Sequence, residues 1–137
     1  MYSFENLKIG KSFTELNKVT EKRIIDFSIA SGDKNPVHIN AKYAKKTFFK
    51  ERIAHGMLIA SFISSVIGNK FPGPGTIYVS QDLNFLRPVK INDIVKIKVI
   101  VEKLISKKKW CQLKTLCSVK KKNSFRGNCC RYTSKKK

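Results

Sequence analysis

The sequence predicts an α+β domain in which an antiparallel β-sheet wraps around one long central helix. Residues 56–68 are apolar nearly all round, which is typical of a helix buried on most of its sides. After Gly75 the period of the pattern changes to two, and three alternating runs follow over residues 77–86, 94–104 and 110–119. Because long strands that flank one apolar helix must bury a common face, we expect the sheet to wrap around that helix.

Two short helices are predicted before the buried one. The first covers residues 21–31, where Thr20 is a suitable N-cap and Gly32 is a suitable stop. The second covers roughly residues 41–47, with Asn40 as its cap. The segment between them is expected to be a loop, because its proline prevents the first helix from continuing.

The buried helix and the sheet make up the rest of the chain. The helix is expected to run from about residue 55 to residue 69 and to end at the Pro- and Gly-rich residues 71–75. The runs 94–104 and 110–119 alternate as half-buried strands do. Residues 124–137 are weak strand sequence, so we expect at most a poor edge strand there.

Length and composition favour one domain over residues 1–137. The chain has a mass of 15.7 kDa, and 42% of its residues are hydrophobic, which is too many for a wholly disordered protein. The apolar stretch 56–68 is too short to span a bilayer, and the first residues lack the basic and apolar regions of a secretory signal. We therefore expect a cytoplasmic protein that does not insert into membranes.

Charge is the unusual feature of the composition, since the net charge is +20. Residues 107–137 hold twelve Lys or Arg and no acidic residue, and this C-terminal part is basic and divergent. Such a surface could attract nucleic acid, anionic lipid or a phosphorylated small molecule. The basic residues show no arrangement with aromatic side chains that would read bases, so we attribute them to a lysine-rich surface and expect no nucleic-acid partner.

The four cysteines, Cys111, Cys117, Cys129 and Cys130, all lie in the C-terminal part. No pair has the C-x-x-C spacing of a metal or redox site, and both histidines are far upstream. We therefore expect reduced thiols in a reducing compartment and no metal.

Two places along the chain carry residues suited to chemistry. Asp33 and His38 stand five residues apart in the loop between the two short helices, and such a carboxylate and imidazole can orient a water and pass protons. The structural alternative is that Asp33 caps a turn and His38 lies on the surface. Gly56 begins the buried helix, where its N–H and the helix dipole suit an oxyanion hole, although a packing role is also open.

The motifs around these residues resemble the hydratase signature of the MaoC-like family. The matching segments are S-G-D-K-N-P-V-H at 31–38, I-A-H-G-M-L-I-A-S at 53–61, P-G-P-G-T-I-Y at 72–78 and L-N-F-L-R-P-V at 83–89. The likeness is greatest to the short, single-domain (R)-specific enoyl-CoA hydratases and covers roughly residues 5–105.

This resemblance implies a hot-dog fold, usually paired as a homodimer. It implies a hydro-lyase of fatty-acid metabolism, which adds water to a trans-2-enoyl thioester of coenzyme A and gives the (R)-3-hydroxyacyl thioester. It places the catalytic groups at Asp33 and His38 and the oxyanion N–H at Gly56. It also implies that Asn35 supports the site and that Ser64 lines it. No cofactor is expected, because coenzyme A is part of the substrate.

Several other functions stay open on the sequence. A 3-hydroxyacyl-[acyl-carrier-protein] dehydratase uses the same chemistry on a carrier-protein thioester, and a thioesterase would use a related fold. A basic, non-catalytic module would bind nucleic acid or an anionic membrane in a salt-dependent way. An inactive relative is suggested by residues 120–137, few of which would pack a core.

Overall fold

The computed structural model describes residues 3–120 and the backbone of residues 122–130. This part of the chain contains four α-helices and a six-stranded antiparallel sheet. In chain order the elements are β1 (Ser12–Lys18), α1 (Glu21–Ser31), α2 (Pro36–Ile39), α3 (Ala41–Lys46), α4 (Gly56–Asn69), β2 (Ser80–Gln81), β3 (Asn84–Phe85), β4 (Ile94–Ile105), β5 (Trp110–Val119) and β6 (Lys122–Cys130). The strands lie in the order β1-β4-β5-β6-β2, and β3 also pairs with β6.

Helix α4 lies in the hydrophobic core, as its composition predicts. Six of its apolar side chains are buried: Leu58, Ile59, Phe62, Ile63, Val66 and Ile67. They share one core cluster with the inward-facing side chains of β4 and β5, namely Val95, Ile97, Val99, Val101, Cys111, Leu113 and Cys117. Burying one large apolar side chain stabilises a fold by about 1.5–3 kcal/mol. The core therefore holds α4 in place, although His55 makes no side-chain cap bond at its N-terminus.

The predicted bounds of α1 and of the two long strands are confirmed. Thr20 caps α1 by accepting a hydrogen bond from the Arg23 N–H at 3.2 Å. Gly32 ends α1 in the left-handed conformation, with φ of 77°, which glycine adopts without strain. The predicted strand 110–119 is β5 residue for residue, and the predicted strand 94–104 is one residue shorter than β4.

The alternating run 77–86 does not form one strand, contrary to the prediction. Only β2 and β3 pair within it, each over two residues of β6. Its large apolar side chains are mostly exposed: Ile77, Tyr78, Val79, Phe85 and Leu86. The alternation predicted a strand with one face in the core, but the described residues leave this segment as an apolar edge of the sheet.

The prediction of a poor edge strand after residue 124 is wrong for the first part of that segment. Strand β6 pairs with β5 along most of its length and with β2 and β3 on its other side, so it lies inside the sheet. Backbone N–H and C=O groups make these pairings, and the mostly polar residues of β6 supply them as apolar residues do. The side chains of residues 121–130 and all of residues 131–137 lie outside the described residues.

Two further elements were not predicted. Strand β1 forms the other edge of the sheet and pairs with β4 from Ser12 opposite Ile100 to Lys18 opposite Ile94. Helix α2 replaces the predicted loop, because Pro36 occupies its first turn, where a missing N–H costs no hydrogen bond.

The described helices also bear on the membrane prediction. None of them combines the length and the apolar composition that crossing a bilayer requires. That residues 1–137 form a single domain stays a prediction.

Candidate active site

A cleft opens at the N-terminus of α4, beside α2, the loop after α1 and the segment that follows β3. Its volume is about 460 Å³. Its walls include Asp33, His38, Phe49, His55, Gly56 and Phe85. Three of the five predicted site residues therefore share one cleft, although they come from three separate parts of the chain.

Asp33 stands in the loop between α1 and α2 with its side chain exposed. Its Oδ1 accepts a hydrogen bond from the Asn35 N–H at 3.1 Å, and its own N–H donates to Ser31 Oγ at 3.2 Å. These two bonds orient the carboxylate from within the loop. Oδ2 makes no hydrogen bond to the described part of the chain and can accept one from a ligand.

Asn35 sits next to the cleft and shapes it through the backbone. Its Oδ1 accepts a hydrogen bond from the Val37 N–H at 3.2 Å and so caps α2. The cap fixes where α2 begins. His38 lies on that single helical turn, and its position relative to Asp33 therefore depends on Asn35.

His38 is buried, so the alternative of a surface histidine is wrong. Its Nδ1 lies 2.8 Å from the carbonyl oxygen of Ile53, and it is the donor because a carbonyl only accepts. Burial lowers the pKa of His38 below the ordinary value of 6.5, against the smaller opposing effect of that hydrogen bond. The ring is then neutral near pH 7, with its lone pair on Nε2.

A third side chain, His55, lies close to both of these groups. One carboxylate oxygen of Asp33 and one ring nitrogen each of His38 and His55 lie within 4.8 Å of one another. His55 is 1% exposed, and its ring centroid is 3.9 Å from that of His38. The sequence pattern indicated His55 only as the residue before the buried helix. Its burial and its hydrogen-bond partner depend on distant segments and cannot be predicted from the local sequence.

These three side chains are of the kind that bind divalent metals. Each histidine already directs one nitrogen at a backbone carbonyl, His38 at Ile53 and His55 at Asp33. One nitrogen of each ring and the Asp33 carboxylate therefore remain available as ligands for a metal ion. The expectation that no metal takes part stays a prediction.

Gly56 begins α4, and none of the hydrogen bonds among the described residues uses its N–H as donor. A Cβ built on Gly56 would lie 2.6 Å from Cδ1 of Phe85 and closer still to Cε1. The ring of Phe85 therefore lies directly against the glycine, and the side chain of Phe85 is itself 54% exposed. The free N–H at a helix N-terminus suits a developing negative charge.

Ser64 is not among the residues that line this cleft. It lies two turns further along α4, on the exposed side of that helix. Its predicted place in the lining of the site is therefore not reproduced within the described chain.

Comparison with known proteins gives consistent findings. A family model described as MaoC like domain matches residues 6–124. An (R)-specific enoyl-CoA hydratase of Rhodospirillum rubrum is 46% identical over 119 residues, which cover 87% of this chain and 83% of that protein. A 3-hydroxybutyryl-CoA dehydratase of Methylorubrum extorquens is 41% identical over 116 residues, covering 85% and 74%. The solved structure of the unliganded R-hydratase PhaJ1 from Pseudomonas aeruginosa superimposes with a TM-score of 0.91 at 36% identity, covering 97% of this chain and 86% of that one.

Proposed function

The chain belongs to the MaoC-like domain family and has a hot-dog fold, and on this premise we propose that it is an (R)-specific enoyl-CoA hydratase. This hydro-lyase of fatty-acid metabolism adds water reversibly across the C2=C3 bond of a trans-2-enoyl-CoA and yields the (R)-3-hydroxyacyl-CoA. The observation that carries the proposal is the meeting of Asp33, His38 and the free N–H of Gly56 in one cleft.

Asp33 and His38 are suited to hold the attacking water together. The carboxylate and the Nε2 lone pair of the neutral ring are both acceptors, and one water has two O–H groups to donate. Two acceptors of one water lie about 4.5 Å apart when each hydrogen bond has ordinary length. A carboxylate oxygen of Asp33 and a ring nitrogen of His38 lie within 4.8 Å of each other, so one water can reach both side chains. Such a water keeps a lone pair of its oxygen free to point at C3.

The proton and electron movements then follow. As the water oxygen bonds to C3, one acceptor takes a proton, and the π electrons of C2=C3 move towards the thioester oxygen as an enolate. The Gly56 N–H and the N-terminus of α4 stabilise that negative charge. Collapse of the enolate takes a proton at C2. This is the proton that the first side chain took from the water, passed on through the second, so both side chains return to their starting forms. The step needs no oxidant, and we propose that it needs no cofactor.

An absorbance assay tests this function. Adding the purified protein to crotonyl-CoA should remove the absorbance of the conjugated enoyl thioester without releasing free thiol. Release of thiol would instead identify a thioesterase, and turnover of crotonyl-carrier protein but not of crotonyl-CoA would identify the carrier-protein dehydratase. No loss of either substrate at any enzyme concentration would contradict the proposal.

The pH dependence follows from the burial of His38. The neutral ring is the active form, and a lowered pKa keeps it neutral to a pH below 6.5. Titration of the two histidine ring signals by NMR should give His38 a pKa below 6.5. The value of kcat/KM should stay constant as the pH is lowered to the pKa of His38 and should decrease at lower pH. The free energy of unfolding should also decrease as the pH falls from 6.5 to the pKa of His38 in the folded chain, because the unfolded chain binds more protons there than the folded chain does. A His38 pKa at or above 6.5 would contradict the assignment.

We also propose that two copies of the chain form a homodimer through the edge at β2. β2 is the last strand in the sheet order, and the exposed apolar side chains Ile77 and Val79 lie just before it. Pairing the two edges would continue the hydrogen-bond ladder across both sheets.

Sedimentation at micromolar concentrations is expected to show about twice the mass of the 15.7 kDa chain. Val79→Lys should shift the equilibrium towards the single chain, because a charge at the edge would have to be buried. Ile9→Lys is the matched control, since Ile9 is also exposed but lies near the other end of the sheet. A single 15.7 kDa species for the unchanged chain would contradict the dimer.

The absence of a metal from the proposed chemistry is tested by chelation. Dialysis against EDTA, followed by assay in metal-free buffer, is expected to leave the turnover of crotonyl-CoA unchanged. A loss that added zinc restores would show instead that Asp33, His38 and His55 hold a required metal.

The substrate and compartment fit two further properties of the chain. The net charge of +20 favours a substrate that carries phosphates, as coenzyme A does. Cys117 is a free, buried thiol, and burial raises its pKa to about 12. Free thiols are typical of reducing compartments, and we propose that the protein is cytoplasmic.

A further inference from the structure

A hydrogen bond joins the loop that carries Asp33 to the core. Nε2 of His55 lies 3.0 Å from the backbone carbonyl oxygen of Asp33 and donates to it. The other hydrogen bonds of Asp33 run to Ser31 and Asn35, within the same loop and the end of α1. Among the described residues, the bond from His55 is therefore the one that ties the main chain of Asp33 to the start of α4.

The ring of His55 is itself held on two sides. It faces His38 at a centroid distance of 3.9 Å and Phe27 at 5.0 Å. Because Nε2 carries the proton, Nδ1 holds a lone pair, and this buried nitrogen has no hydrogen-bond partner among the described residues. A buried acceptor left without a donor costs stability. A buried aromatic or apolar residue would avoid that cost, so packing alone does not account for a histidine here.

We propose that His55 is a positioning residue for the hydration reaction. Its Nε2–H holds the main chain of Asp33 at the distance from His38 at which both side chains share one water. The inference rests on the proposed function, because only that reaction requires the two acceptors to act on the same water. It adds a residue that acts on the reaction by holding Asp33 in place and not by contact with the substrate. An error of about 1 Å in such a position can cost about 10²-fold in rate.

The matched pair His55→Gln and His55→Met tests this role. The two side chains have nearly the same length and shape, but only the Gln amide can donate a hydrogen bond from about the position of Nε2. We expect His55→Gln to keep kcat within about fivefold of the unchanged enzyme. We expect His55→Met to lower kcat by about 10–100-fold while KM changes little, because substrate binding does not depend on the Asp33 carbonyl.

His55→Phe serves where His55→Met does not fold, since it keeps an aromatic ring between His38 and Phe27. It also lacks the donor, so it should lose kcat as His55→Met does. Equal losses in His55→Gln and His55→Met would overturn the proposal, because the donor would then not be what matters. Near-normal kcat in His55→Met or His55→Phe would overturn it as well.

A second readout does not depend on activity. The Asn35 N–H donates to the Asp33 carboxylate, so its hydrogen exchange, followed by NMR, reports how well the loop is held. Exchange should be faster in His55→Met than in His55→Gln, even if the unchanged protein hydrates no enoyl thioester. Equal exchange in both variants would overturn the positioning role, even if the unchanged protein proves to be an active hydratase.

Discussion

Asp33→Asn is expected to lower kcat for crotonyl-CoA hydration by at least about 10²-fold, the contribution of one acid–base group. The amide has the size of the carboxylate, and its oxygen can still accept the Asn35 N–H that Oδ1 accepts at 3.1 Å. The loop therefore keeps its shape, while the negative charge that helps to hold the water and to move its proton is lost. Because Asp33 is exposed, we expect the melting temperature to stay close to that of the unchanged protein.

His38 requires a more careful substitution than its place in the sequence suggests. His38 is buried and donates to the Ile53 carbonyl, so it contributes to the fold as well as to the site. His38→Ala would leave both a cavity and an unpaired carbonyl, so a loss of stability would accompany the loss of activity. His38→Asn can keep the donor near Nδ1 and removes only Nε2. Near-normal turnover in either Asp33→Asn or His38→Asn would exclude that residue from the mechanism.

Gly56→Val is expected to lower kcat by about 10²-fold or more, the effect of losing one oxyanion donor. A side chain there would cover the N–H to which the thioester oxygen must come. The nearest neighbours of the new Cβ are ring atoms at the far end of the Phe85 side chain, which is 54% exposed, so a modest shift of this ring makes room. We therefore expect a small change in melting temperature beside the large change in turnover.

A second variant separates the oxyanion role of Gly56 from a packing role. Gly56→Ala combined with Phe85→Ala removes the ring that the added methyl would meet. If Gly56 were only a packing contact, the double variant would have the same turnover per folded molecule as the unchanged protein. If its N–H receives the thioester oxygen, turnover should stay low despite the relieved contact. Recovery in the double variant, or a fall in stability without a fall in specific activity, would make the oxyanion assignment wrong.

The central elements of this fold can be predicted from the sequence because their patterns are local. The apolar residues 56–68 and the alternating run 110–119 bury faces that their own periods define, and both appear where expected. Strand β6 could not be predicted in the same way. Its pairing with β5 and β2 is made by backbone groups of distant segments, which leave no periodic trace in residues 122–130.

The same distinction applies to the site. Asp33, His38 and Gly56 were predicted from motifs that lie close together in the chain, and the structure brings them to one cleft. The burial of His38 depends on the Ile53 carbonyl, and the role inferred for His55 depends on the Asp33 carbonyl. Such contacts arise only when separate segments fold together. The sequence therefore predicts which chemical groups the site contains better than it predicts the hydrogen bonds and packing contacts that position them.

The configuration of the product tests the central claim most directly. The protein should be incubated with crotonyl-CoA, and the 3-hydroxybutyryl-CoA that forms should be resolved by chiral chromatography after hydrolysis, with Asp33→Asn as the control. Hydration by this site predicts the (R) product alone, formed by the unchanged protein and nearly absent with Asp33→Asn. The (S) product, a racemic mixture, or equal formation in the variant would contradict the assignment of this chain as an (R)-specific hydratase that uses Asp33.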